Sequence, residues 1–143
     1  MSQANRWTIH SLVILVLVIA PALARAQTNA LQWDQLCSAA VQKGDWHGVV
    51  DSCSHEEVII AGAMQDSGTP QAEKEQLGEI LVVAEVRLVA GYAGVGDSQA
   101  ARQQVALARQ TLQLTTVLGL DTASPKYKEL QGRIDAVARA VGP

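Results

Sequence analysis

The chain reads as an all-α fold, and three observations carry that reading. Apolar residues recur at helical spacing in five segments. No stretch alternates with period two for long enough to make a strand. The side chains are thin: there is no phenylalanine, and Ala, Val, Leu and Gln abound, which suits close helix-on-helix packing better than a β-sandwich.

Segment one covers about Leu31 to Lys43 and stops at Gly44, and Asp45 stands where an N-cap belongs before segment two begins at Trp46. Ser54-His55-Glu56-Glu57 fits a capping box, so the sequence leaves open whether segment two is one helix or two. Asp66-Ser67-Gly68-Thr69-Pro70 is a loop, with Pro70 suited to a first helical turn. Segment three, about Gln71 to Tyr92, carries Leu77, Leu81, Ala84, Leu88 and Gly91 on one stripe and Ile80, Val83, Val86 and Val89 beside it. A helix apolar over most of its circumference is buried on more than one side, so this is the expected central helix, with Leu81 and Leu88 among the most buried residues. Asp97 caps segment four, which runs to about Leu118 with Ala101, Val105, Ala108, Leu112 and Thr115 on a narrow stripe, and Gly119 ends it. Segment five starts at Ser124-Pro125 and continues with Tyr127, Leu130, Ile134, Val137, Ala138 and Val141.

Residues 1–26 read as a secretory signal peptide. Arg6 gives a basic start, Leu12 to Ala20 is unbroken and apolar, and Ala24-Arg25-Ala26 is a small-residue cleavage site before Gln27. The apolar run meets Pro21 well short of the roughly 20 residues that a spanning helix needs. The expectation is a periplasmic or secreted protein, with residues 27–143 as one domain and no stable membrane insertion after cleavage. The whole chain carries a net charge of -3, and loss of Arg6 and Arg25 makes the mature part more acidic. That balance argues against nucleic acid, which wants a basic face, and against attraction to anionic lipid.

Lys43-Gly44-Asp45-Trp46 and Val95-Gly96-Asp97-Ser98 share a local pattern, each between an apolar-periodic helix and an Ala/Val-rich one. Trp33 and Leu36, Cys37 in a small-residue slot, the Gly44-Asp45-Trp46 turn, and Val49 and Cys53 beyond it make the first hairpin resemble a tetratricopeptide repeat. The second matches through Leu88, Tyr92, Gly96, Asp97, Ala101, Val105 and Ala108, with Glu85 in place of the opening aromatic and Val89 in place of the small residue. Ala61 and Gln113 stand where a closing proline belongs, and the two turns are farther apart than the roughly 34-residue period of such repeats. An insertion around residues 54–70 accounts for the spacing. The resemblance implies hairpins at about 31–65 and 71–118 with a capping helix at 125–141, and a concave groove lined by the first helix of each pair.

Two cysteines in an exported chain favour a disulfide. Cys37 and Cys53 lie symmetrically about the Gly44-Asp45 turn, so an antiparallel hairpin brings their sulfurs level. Helix axes pack about 8 to 10 Å apart, and facing positions can meet the Cα limit of about 7 Å. A bridge is the expectation, two buried thiols the alternative. No C-x-x-C redox pair is present.

His47, Asp51 and His55 follow one another at i, i+4 spacing and share a face if segment two is unbroken. Two imidazoles and a carboxylate are candidate metal ligands, which would make a small metal-binding or stress-related protein; a solvated polar face is the plainer reading. Glu73, Glu75 and Glu79 with Lys74 complement the dipole at the start of segment three. Arg102, Arg109, Arg133 and Arg139 on the last two segments could receive an acidic partner, with solvated charge the simpler account. There is no G-x-S-x-G, no H-E-x-x-H and no phosphate-binding glycine loop, so no catalytic residue or cofactor is expected. The functional expectation is a non-enzymatic module that meets a protein or peptide over its helical surface, where Gln32, Gln35, Gln42 or Arg87 could contribute.

Overall fold

Three polar residues set the helix starts. Asp45 Oδ1 accepts from Gly48 N at 3.0 Å, Asp97 Oδ1 from Ala100 N at 2.9 Å, and Ser124 Oγ from Tyr127 N at 3.1 Å. Each satisfies a backbone donor that the first helical turn leaves unpaired. The computed structural model describes residues 29–143, so the predicted signal segment and its cleavage site after Ala26 lie outside the described residues. Among the described residues there are five helices and no strand: α1 over 29–43, α2 Trp46–Gln65, α3 Gln71–Gly94, α4 Ser98–Leu118 and α5 Pro125–Val141. No helix among them is long and apolar enough to cross a membrane.

The Gly44 and Gly96 turns are built alike. Gly44 N donates to Val41 O and Asp45 N to Ala40 O; Gly96 N donates to Ala93 O and Asp97 N to Tyr92 O. Both glycines have positive φ, +66° and +85°, as this helix-ending motif requires. A residue with a Cβ would be strained at either turn.

Helix α2 is unbroken, which resolves the capping-box alternative at Ser54. Its hydroxyl donates back to Val50 O at 2.6 Å instead of capping a new helix. The reason is tertiary: Val49, Cys53, Glu56 and Ile60 form one buried stripe that a break at Ser54 would interrupt. Pro70 is the N-cap of α3 and not a residue of its first turn, and α3 runs past Tyr92 to Gly94. There the Trp46 indole lies against the α3 backbone, in space that a side chain at Gly94 would occupy.

Helix α3 is central. Leu88 packs in one cluster with Cys37, Ala40, Val49 and Cys53 from α1 and α2. Val82 and Val89 belong to a second, with Ala101, Val105, Ala108 and Leu112 of α4 and Leu130 and Ile134 of α5. Leu81 and Leu88 are both buried, as the stripe predicts. Gly78 lets Thr115 of α4 approach the α3 backbone closely, and Gln71 Nε2 donates to Leu118 O at 2.8 Å, tying the start of α3 to the end of α4.

Cys37 and Cys53 form a disulfide with Cα atoms 5.1 Å apart, joining α1 to α2 across the Gly44 turn. Both are fully buried. Closing a loop of this size stabilises the fold by about 3 kcal/mol on the chain-entropy view. Replacing both cysteines by serine should therefore lower stability by about 2 to 4 kcal/mol in urea unfolding while helix content at low temperature is kept. Non-reducing peptide mapping of the parent should recover the two cysteines in one linked fragment.

Candidate binding cleft between the first three helices

The start of α1, the middle of α2 and the first half of α3 enclose a cleft of about 380 Å³. Ala30 and Leu31 of α1, Ile60 of α2, and Leu77, Ile80 and Val83 of α3 give it apolar walls. Leu31 and Ile80 stand exposed, two large apolar side chains on facing helices. Asp34, Glu56, Glu73 and Gln76 supply the polar lining. An apolar hollow with a few polar groups is the usual form of a ligand site.

Glu56 is the unusual residue. It is 0% exposed, and no donor group of the fold reaches either carboxylate oxygen; its hydrogen-bonding neighbour is the Asp34 carboxyl, with which it can share a proton. Arg87 of α3 reaches it only at 4.0 Å, because the same Nη1 donates to Asp34 Oδ1 at 2.6 Å. Arg87 thus neutralises Asp34 closely and Glu56 weakly. Burial, reinforced by the charge of the nearby Asp34 carboxylate and by a hydrogen bond to it that favours the protonated form, and partly offset by Arg87, pushes the Glu56 pKa up to about 7. Arg87 Nη1 also lies 3.9 Å from Cys37 Sγ, so the cluster sits against the disulfide.

A second carboxylate is buried in α3, away from this cleft. Glu85 is 1% exposed; Oε1 accepts from Thr111 Oγ1 at 2.8 Å while Oε2 has no hydrogen-bond partner. Burial raises its pKa to about 8, against the lowering effect of the Thr111 hydroxyl and with a further raise from Glu57.

Helical phase could have found Glu56. It falls on the stripe formed by Val49, Cys53 and Ile60, where a carboxylate is out of place. Glu85 was visible as a charge in the apolar central segment, but nothing local says that Thr111 meets it. Arg87, named above as a residue that could contribute to a partner surface, donates to Asp34, a residue far off in the chain. Gln32, Gln35 and Gln42 are exposed on α1.

The other sequence candidates are placed as follows. His47, Asp51 and His55 are exposed on one side of α2, but their ligand atoms do not form a metal-holding group. His55 stacks on Trp33 of α1, with ring centroids 4.3 Å apart, and its Nδ1 lies 2.8 Å from Asp51 O. Among the described residues the group that gathers close enough is Cys37, Cys53 and Glu56, whose sulfurs are joined to each other. A groove of about 580 Å³ between α4 and α5 is lined by Arg102, Arg109 and Arg139. Two of these cations have protein partners: Arg102 donates to Pro143 O at 3.3 Å, and Arg109 lies 3.7 Å from Asp135. Arg133 donates to Glu129 at 2.8 Å.

No protein-family model, no curated protein and no solved structure matches the chain.

Proposed function

We propose that this protein is an exported, non-enzymatic interaction module whose TPR-like helices receive a protein or peptide segment in the cleft between α1, α2 and α3. The observation that carries the reading is the exposure of Leu31 and Ile80 at an apolar hollow, where water contact is unfavourable and a partner side chain would relieve it. The alike turns at Gly44 and Gly96 and the central place of α3 support stacked hairpins. The N-terminal pattern of Arg6, Leu12 to Ala20 and Ala24-Arg25-Ala26 supports export.

Intact-mass measurement of the protein recovered from the cell envelope tests the address, with Gln27 expected as the first residue. The surface is tested by Leu31→Asp combined with Ile80→Asp. Both side chains are exposed, so the unfolding midpoint should move little, within about 0.5 kcal/mol for each change. Retention of the partner that the parent captures should be lost. Full retention by the doubly substituted chain removes the cleft from the interface.

A further inference from the structure

The geometry points to a lysine side chain of a partner polypeptide as the occupant of the cleft, its stem against Ile60, Leu77 and Ile80 and its ammonium on Glu56. This inference rests on the reading of the cleft as a receiving site, and it adds the charge of what is received.

Three observations converge. The first is charge. Arg87 is held by Asp34 at 2.6 Å, so the carboxylate left short of a counter-charge is Glu56, with Arg87 only at 4.0 Å. One further positive charge balances the cluster. The second is hydrogen bonding. When ionised, Glu56 has two buried acceptor oxygens that no donor of the fold reaches, and an unmade buried hydrogen bond is costly. The free chain relieves this by sharing a proton with Asp34, which an arriving ammonium replaces. An ammonium brings three donors, and a carboxylate can accept from it at both oxygens. The third is shape. Ile60, Leu77 and Ile80 line the cleft together with Glu56 and suit a methylene stem that ends in a compact point charge. The Glu56 carboxyl, closed to water in the free chain, turns toward the cleft to meet it. The cleft is larger than one lysine side chain, so there is room for a neighbouring apolar residue against Leu31. Burial that holds the Glu56 pKa near 7 fits the same picture, because an arriving cation favours the ionised form.

The disulfide-intact chain is titrated, with backbone amide shifts followed by NMR, against a capped Leu-Lys-Leu peptide, the same peptide with norleucine for lysine, and n-butylammonium as a free amine. The lysine peptide should shift the signals of Leu31, Ile60, Leu77 and Ile80, and bind about tenfold more tightly than the norleucine peptide, as one charge-assisted hydrogen bond would give. Glu56→Gln should remove that advantage and leave the norleucine peptide unaffected. Glu85→Gln, which alters a buried carboxylate elsewhere, should leave both unaffected. Equal affinity of the two peptides overturns the lysine assignment while the receiving cleft stands. Butylammonium binding as tightly as the lysine peptide makes this a small-amine site and overturns it too. If neither peptide shifts the cleft residues, the receiving cleft and the lysine assignment fall together.

Discussion

Unfolded in urea at about pH 5, the protein should be more stable than at about pH 8.5, by at least about 3 kcal/mol. The cause is the two buried carboxyls. Glu56 and Glu85 have native pKa values of about 7 and about 8, against an ordinary carboxylate value of 4.5. Between those limits the native state holds protons that the unfolded chain releases, so stability falls as pH rises. Their favourable contribution is complete below the unfolded value and is lost as pH climbs through about 7 and then about 8. The neighbours that shape this response are Asp34 and Arg87 at Glu56, and Thr111 and Glu57 at Glu85. Glu85→Gln should halve the slope below about pH 7 and abolish what remains between about 7 and 8, since an amide keeps the volume and does not titrate. A parent protein that is more stable at the higher pH would contradict the burial of both groups.

Leu88→Ala should cost about 2 to 5 kcal/mol, the range for deleting a well-packed leucine side chain. Leu88 is 0% exposed and meets Val49, Cys37 and Cys53, so its loss opens a cavity beside the disulfide. That neighbourhood is cross-linked and has little freedom to collapse into the space, which keeps the cost high. Gln103→Ala on the exposed side of α4 should stay within about 0.5 kcal/mol. Urea midpoints with an unchanged slope measure both. Similar small effects for the two would mean that α3 is loosely attached and not enclosed by its neighbours.

Features governed by local chemistry were legible in the sequence. Asp45, Asp97 and Ser124 cap the helices because a short polar side chain before an apolar-periodic run has one natural use. Cys37 and Cys53 meet because their symmetry about Gly44 survives in an antiparallel hairpin. Ser54 left the course of α2 open for the converse reason. Its local signal was overruled by the stripe of Cys53, Glu56 and Ile60, whose burial favours a continuous α2. The cleft was mostly hidden, because it depends on α1 and α3 meeting through Asp34 and Arg87. The burial of Glu56 and Glu85 depends likewise on neighbours brought from elsewhere in the chain. The apolar character of α3 could be read directly, but not which of its faces would stay open at Ile80.

The most direct test of the cleft as the partner surface is site-specific photo-crosslinking in the native envelope. A photoreactive residue at Ile80 stands at the cleft, and one at Val117, also exposed, stands on α4 away from it. The account predicts a discrete cross-linked species from position 80 that weakens with Glu56→Gln, and none from position 117. A cross-link from position 117 with none from position 80 would contradict it.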